Sequence, residues 1–236
     1  MQVYAHQYVQ FRKNISIAEA IGTFALVFAG CGAIIVNDLF GAQLGHTGIS
    51  MVFGLIVMAM IYSIGNISGA HINPAVTLGF FFAGRIKKDE ILPYISSQVF
   101  GAILAAGLLK LLFSTHDSLG ATLPSGGIIN AFVLEIILSF FLMFVILNVS
   151  TGHTEKGIMA GVAIGGTVAL EALMGGPVSG ASMNPARSIG PALVSGNLST
   201  LWIYIIAPII GTWLAHPTCR TVQGNECCHV NGSCDD

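Results

Sequence analysis

Six segments of this chain are apolar over lengths close to the thickness of a lipid bilayer. A membrane-spanning helix needs about 20 consecutive, mostly apolar residues. The six segments cover residues 15–36, 48–67, 91–113, 128–149, 158–178 and 201–216. Only 8% of the residues are charged, whereas soluble domains average about 25%. We therefore predict an all-α membrane protein with six transmembrane helices, the last of them ending at Pro217.

Two further apolar segments, residues 74–83 and 185–194, are too short to span a bilayer. Each follows a polar run that contains Gly, and each begins with Asn-Pro. Asn is a favoured helix N-cap, and Pro is favoured at the first helical position. The two runs are near copies, because residues 68–75 read SGAHINPA and residues 179–186 read SGASMNPA. We predict two re-entrant half-helices that begin inside the protein.

The repeated run divides the chain into two related halves. Asn184 follows Asn73 by 111 residues (184 minus 73), and Glu19 in the first predicted span has a counterpart in Glu135 of the fourth. Each half contains an odd number of spans, so the second half must insert upside down relative to the first. We predict one channel domain over residues 1–217, with inverted repeats at about 14–113 and 128–217.

Positive charge is unevenly distributed over the predicted loops and ends. If the spans alternate in direction, most Lys and Arg residues fall on one side, and only Lys110 and Arg187 fall elsewhere. By the positive-inside rule that side is cytoplasmic, so we expect both termini in the cytoplasm of a multi-pass cell-membrane protein. Charge directly precedes the first apolar segment, which we interpret as a retained span and not a cleaved leader. The residues on the cytoplasmic side are Arg12, Lys13, Arg85, Lys87, Lys88, Lys156 and Arg220.

The two Asn-Pro-Ala motifs indicate a water-filled path through the protein. Non-helical backbone at membrane depth is tolerated only where it is buried in protein or lines a watery cavity. Each Asn oxygen is expected to cap its own half-helix, which leaves the NH2 group free as a donor to a passing solute. A water held by two such donors cannot accept a hydrogen from its neighbour, so the proton wire breaks. The motif residues are Asn73, Pro74, Ala75, Asn184, Pro185 and Ala186, and the expected lining carbonyls are those of Gly69, Ala70, His71, Gly180 and Ser182.

The paired motifs, each preceded by Ser-Gly-Ala within an inverted six-span repeat, resemble those of the major intrinsic protein family of aquaporins and aquaglyceroporins. The resemblance covers residues 14–217 and is greatest to the nodulin-like branch and its bacterial relatives. It implies a homotetramer in lipid with a pore in each subunit, and passive transport without a cofactor. It also implies that Glu19 and Glu135 support the loops that carry the half-helices. In such pores, half-helix dipoles or an Arg generally exclude cations and protons.

The resemblance implies an outer selectivity filter at Phe53, Ala172, Ala181 and Arg187. Strict water channels of the family usually carry His at the position of Ala172. Two alanines predict a wider and less polar opening, which suits glycerol, urea, or undissociated boric and arsenous acids. Arg187 can donate to a passing hydroxyl and repel cations, and a buried Arg is costly unless it faces water.

Two departures from the family pattern leave the choice of solute open. Ser188 stands where glycerol facilitators typically carry Asp, and Tyr204-Ile205 replaces the usual Phe-Trp of water channels. A water-selective aquaporin is the first alternative. A secondary active transporter is the second, suggested only by Glu171, because a carboxylate inside a span is costly unless it is paired or functional. No catalytic constellation is visible, and a net charge of −2 offers no basic surface, so we predict neither enzymatic activity nor nucleic-acid binding.

Two histidines are candidates for pH sensing, because His titrates near neutrality. His71 lies two residues before Asn73, and the resemblance implies that it lines the cytoplasmic vestibule through its carbonyl. We favour that structural role over pH gating. His153, before the fifth span, is a weaker candidate.

Residues 218–236 form a polar tail with clustered cysteines. Its composition predicts disorder. The alternative is a thiol site for a metal or for arsenite, since soft thiolates bind zinc and copper(I). The spacing lacks the Cys-x2-Cys pairs of common zinc sites. The cysteines concerned are Cys219, Cys227, Cys228 and Cys234.

Overall fold

The structure is a computed structural model that describes residues 2–150 and 154–224, with side chains over residues 12–150 and 158–224. Within these ranges the chain forms eight helices and no strands. Six helices are long and two are short, as the apolar segments predict. They are α1 (Gln2–Leu39), α2 (Gly45–Ser68), α3 (Pro74–Phe82), α4 (Lys88–Leu112), α5 (Ile128–Val149), α6 (Thr154–Ser179), α7 (Pro185–Ser195) and α8 (Ile203–Gln223).

The two halves of the fold repeat the same packing pattern. In the first half α1 packs against α2 and α4, and in the second half α5 packs against α6 and α8. Each short helix crosses to the other half, so that α3 packs on α8 and α7 packs on α4. This exchange is the arrangement expected of an inverted repeat whose halves are related by a pseudo-two-fold axis.

Small residues allow the long helices to approach closely, and they do so at equivalent places in both halves. A Cβ atom at Gly101 of α4 would collide with the backbone carbonyl of Ala20, and one at Gly211 of α8 would collide with that of Ile136. Gly165 of α6 lies against the backbone of Gly54 in the same way. Backbone contact of this kind is how small residues hold helices together in membranes.

The last long helix differs from its prediction. We expected Pro217 to end it, but α8 continues to Gln223 through both Pro208 and Pro217. Proline is tolerated inside membrane helices because side chains and neighbouring helices satisfy the backbone groups that it frees.

Five of the long helices in the described residues are long and apolar enough to cross a membrane, and α8 is not among them. Its second half carries His216, Arg220 and Gln223, which lower its hydropathy. Its 21 residues nevertheless span about 31 Å at the α-helical rise, which matches the hydrocarbon core of a bilayer.

Candidate pore and its constrictions

A cavity of about 950 Å³ passes between the two halves of the fold. Both repeated loops line it, together with faces of α2, α5 and α6. Of the described lining residues, Arg187 is the one with a permanent charge, and none is a carboxylate. The cavity is therefore a mostly apolar path with a small number of polar groups along it.

Asn73 and Asn184 meet on this path, each at the start of its half-helix. The Asn73 side-chain oxygen accepts from the amides of Ala75 at 2.8 Å and Val76 at 3.4 Å. The Asn184 oxygen accepts from the amides of Ala186 at 3.0 Å and Arg187 at 3.3 Å. Both side chains act as N-caps and both line the cavity, which brings the positive ends of α3 and α7 together.

The NH2 groups of the two asparagines are not wholly free, contrary to our expectation. The Asn73 Nδ2 donates to the carbonyl of Met183 at 2.8 Å, and the Asn184 Nδ2 donates to the carbonyl of Ile72 at 2.8 Å. Each NH2 group has two hydrogens. One hydrogen ties the two loops together, so only the second is left to point at a solute.

Two buried carboxylates hold the loops in place. Glu19 accepts from the Ser68 hydroxyl at 2.6 Å, and from the amides of His71 at 2.9 Å and Ile72 at 2.7 Å. It accepts a fourth bond from the Gln98 side chain at 2.7 Å. Glu19 is 0% exposed. Carboxylate acceptors of this kind are about twice as strong as neutral ones.

The second half repeats this arrangement with one bond fewer. Glu135 accepts from the Ser179 hydroxyl at 2.7 Å, and from the amides of Ser182 and Met183 at 2.8 Å each. In the repeat, Pro208 stands opposite Gln98 (208 minus 98 is 110), and a proline side chain cannot donate a hydrogen bond.

The supported loops have an unusual backbone. Ala70 and Ile72 lie in the left-handed region with φ of 49° and 43°, and Ala181 and Met183 do the same with φ of 42° and 53°. Residues with side chains rarely adopt this conformation and keep it only where the surroundings fix it. The carboxylates supply that constraint in both loops. The left-handed residues therefore occur at the same positions of the two loops.

Most of the residues whose carbonyls we expected on the path do line the cavity. These are Gly69, Ala70, His71 and Ser182. Gly180 is the exception, because it packs against Thr122, where an added Cβ would lie 3.2 Å from the Thr122 methyl carbon. The role of the Gly180 carbonyl stays a prediction.

The four residues expected to form the filter all line the same cavity. The Arg187 guanidinium lies 5.0 Å from the centre of the Phe53 ring, close enough for a cation–π interaction. Its Nη1 donates to the carbonyl of Gly120 at 2.8 Å. Arg187 is 3% exposed, while Ala172 and Ala181 present only methyl groups.

Sequence reasoning missed a pair of tyrosines that brace the loops. The Tyr94 hydroxyl donates to the Ser68 carbonyl at 2.7 Å, and the Tyr204 hydroxyl donates to the Ser179 carbonyl at 2.6 Å. We had considered Tyr204 only as a departure from the family pattern. An offset of 110 residues relates Tyr94 to Tyr204 (204 minus 94), one residue less than the offset between the two Asn-Pro-Ala motifs, so a search that allowed a one-residue shift could have found the pair.

Of the remaining candidates, Glu171 lies off the cavity, His71 lines it, and His153 falls outside the described residues. Glu171 is 8% exposed, and neither of its side-chain oxygens has a hydrogen-bond partner among the described residues. It does not line the cavity. His71 stacks between the rings of Phe80 and Tyr94, with centroids at 4.6 Å from each. This packing agrees with the structural role that we favoured. His153 lies outside the described residues.

The proposed cysteine tail begins later than expected, because residues 218–223 belong to α8. Cys219 is buried on α8, and the Asn148 Nδ2 lies 3.7 Å from its sulfur. Cys227, Cys228 and Cys234 lie outside the described residues. Within the described part of the chain, no group of three or more His, Cys, Asp or Glu side chains is arranged to hold a metal ion.

Comparison with known proteins gives consistent matches over nearly the whole chain. The family model described as Major intrinsic protein matches residues 6–217. Aquaporin NIP1-1 of Zea mays is 49% identical over 204 residues, which cover 86% of this chain and 72% of that protein. Nodulin-26 of Glycine max is 47% identical over 196 residues, which cover 83% of this chain and 72% of that protein.

A solved structure shares the fold. The X-ray structure of the aquaglyceroporin from Plasmodium falciparum matches with a TM-score of 0.81, covering 90% of this chain and 97% of that one. The two sequences are 23% identical, so this likeness concerns the arrangement of the helices alone.

Proposed function

The chain belongs to the major intrinsic protein family and is a multi-pass membrane channel of the aquaporin and aquaglyceroporin type, and from that premise we propose that it passes small uncharged solutes as well as water. Glycerol and urea are the proposed test solutes, and undissociated boric and arsenous acids are proposed further substrates. The observation that carries the proposal is the presence of two alanines, Ala172 and Ala181, on the cavity beside Phe53 and Arg187.

The proposed filter combines a wide apolar side with one charged corner. Ala172 and Ala181 offer methyl groups to the carbon skeleton of a solute. Arg187 offers guanidinium donors to a hydroxyl or carbonyl oxygen and repels cations. A polyol or urea can satisfy both sides at once, because it carries an apolar face and hydrogen-bonding edges.

The proposed barrier to ions lies at Asn73 and Asn184. The half-helices α3 and α7 direct their positive ends at this point, and the remaining amide hydrogens can both donate to one solute oxygen. A water held in this way has no lone pair left to accept a hydrogen from its neighbour, so the proton wire is interrupted. Dipolar exclusion of this kind is general in aquaporin-type pores.

One observation favours the water-selective alternative. The cation–π contact of 5.0 Å between Arg187 and Phe53 brings two large side chains to the same part of the path. If they close the opening despite the alanines, water alone passes. The transporter alternative has less support, because Glu19 and Glu135 are saturated with donors and Glu171 lies off the cavity.

The experiment is stopped-flow light scattering on proteoliposomes, comparing water, glycerol and urea permeability with those of protein-free vesicles. Glycerol or urea entry faster than in the protein-free vesicles, and unaffected by ion gradients, supports the proposal. Rapid water flow without solute entry supports the water-selective alternative. Solute uptake that depends on a proton or sodium gradient supports a transporter.

We also propose a cell-membrane location with both termini cytoplasmic, and a homotetramer in lipid. Arg12 forms an ion pair with Asp89, and the Arg85 Nη1 donates to the Ser150 hydroxyl at 2.8 Å. The first contact joins the N-terminal half of α1 to the start of α4, and the second joins the segment before α4 to the end of α5, so Arg12 and Arg85 lie at the same end of the bundle. Native mass spectrometry tests the tetramer, and protease accessibility of tagged termini tests the orientation.

A further inference from the structure

The carbonyl that holds Arg187 belongs to a loop with a strained backbone. Gly120 accepts from the Arg187 Nη1 at 2.8 Å, and it is the sole hydrogen-bond acceptor of that side chain among the described residues. Gly120 and the residue before it, Leu119, are both left-handed, with φ of 68° and 52°. A leucine keeps such a conformation only where its surroundings determine it. The position of the filter arginine therefore depends on what holds this loop.

A histidine that took no part in our sequence reasoning holds the loop from one side. His116 is 8% exposed. Its Nδ1 lies 3.0 Å from the backbone amide of Leu119, and its Nε2 lies 3.1 Å from the Asp38 carboxylate at the end of α1. A backbone amide can only donate, so Nδ1 carries the lone pair. The ring proton is then on Nε2, where it donates to Asp38.

Apolar packing holds the loop from the other side. Leu119 is 0% exposed and belongs to a buried cluster that includes Cys31 of α1 and Ala186 of α7. A Cβ at Gly120 would lie 2.9 Å from the Cβ of Cys31, so this position also requires glycine. Packing alone does not satisfy the Leu119 amide, and His116 supplies its acceptor.

We propose that His116 is a positioning residue for the filter. It fixes the Leu119 amide, which sets the direction of the Gly120 carbonyl and thereby the place of the Arg187 guanidinium opposite Phe53. Asp38 fixes the tautomer of the ring. The proposal rests on the proposed filter, and it adds a contact from the loop between α4 and α5 that determines how wide the filter opens.

The test uses two substitutions that separate the two ring nitrogens. In H116N the side-chain oxygen can take the place of Nδ1 and accept from the Leu119 amide. In H116Q the amide group reaches the place of Nε2 and leaves the Leu119 amide without its acceptor. D117N changes an exposed neighbour in the same loop and serves as the control. The readout is the ratio of glycerol to water permeability in proteoliposomes of matched protein content.

We expect H116N and D117N to keep the wild-type ratio and H116Q to change it by about fivefold, which corresponds to one ordinary hydrogen bond. A ratio in H116Q equal to that of the wild type overturns the proposal, provided that the wild type conducts. A wild type that conducts no glycerol defeats the proposed solute range instead.

A measurement on the unsubstituted protein keeps the proposal testable should H116Q not reconstitute. Solid-state NMR on protein labelled with ¹⁵N-histidine reports which ring nitrogen of His116 carries the proton, with H116N identifying the resonance by its loss. A proton on Nε2 and an unprotonated Nδ1 support the proposed role of His116. A proton on Nδ1 overturns it, because Nδ1 could not then accept from Leu119.

Discussion

Asn73 and Asn184 each donate a hydrogen bond to the carbonyl that directly precedes the other asparagine. The donor–acceptor distance is 2.8 Å in both directions. The two half-helices are thus joined at their N-termini by a reciprocal pair of bonds, in addition to the caps that each asparagine makes on its own helix.

Substituting Asn184 with Asp is expected to weaken ion exclusion. The aspartate can still cap α7, but it replaces the donor that faces the Ile72 carbonyl with a second acceptor, and it places a negative charge where the helix dipoles are positive. We expect measurable cation current in planar bilayers, and a loss of stability of about 1–3 kcal/mol. N197D changes a part-buried surface asparagine bonded to Ser195 and should behave as the wild type.

Removing either loop-supporting carboxylate is expected to destabilise the channel. E19Q retains one acceptor oxygen for four donors, and E135Q retains one for three. Each leaves buried donors unsatisfied, so we expect a loss of about 2–4 kcal/mol. Thermal unfolding in detergent measures it, with D117N as a surface control. Unchanged midpoints in both variants would show that the loops do not need the carboxylates.

The two tyrosine braces allow a test of the internal symmetry. Y94F and Y204F each remove one hydroxyl that donates to a loop carbonyl, at an expected cost of about 1 kcal/mol. Because the two sites lie in different halves, the double variant should lose the sum of the single effects. A strongly non-additive result in denaturant unfolding would mean that the two loops are coupled more tightly than their separate braces suggest.

The width of the filter can be reduced at one alanine. A172H adds an imidazole on the cavity, which narrows the path more for glycerol than for water. We therefore expect glycerol permeability to fall at least about tenfold, equivalent to about 1.4 kcal/mol, while water permeability changes little. M174H places the same group on α6 at a residue that is 59% exposed and is the matched control. If A172H leaves glycerol flux unaltered, Ala172 does not limit passage.

The sequence contained enough to predict the architecture and the positions of the paired asparagines. Apolar length predicts the six long helices, and the Asn-Pro capping pattern predicts the two short ones. The bounds of α5 were predicted to the residue. The end of α8 was not predicted, because we took Pro217 as a stop. Within packed membrane helices, neighbouring groups can satisfy the carbonyl that a proline frees, so a helix can continue through the proline.

Sequence reasoning could not supply contacts that join residues far apart in the chain. The bond between Arg187 and Gly120 links positions 67 residues apart, and no local pattern marks Gly120 as an acceptor. The same holds for the second role of the asparagines, whose cross-bonds depend on how closely the two loops approach. Glu171 was singled out as a carboxylate within a span, and the structure leaves it buried without a described partner and off the cavity.

The crossing of the half-helices, with α3 on α8 and α7 on α4, has a consequence for the order in which the protein is made. When α7 leaves the ribosome, its partner α4 is already in the membrane and can receive it. The main partner of α3 is α8, the last of the described helices to be synthesised. During most of translation the first half-helix therefore has only its smaller contacts, with α4 and α5, and the packing around it is complete only after α8 has inserted.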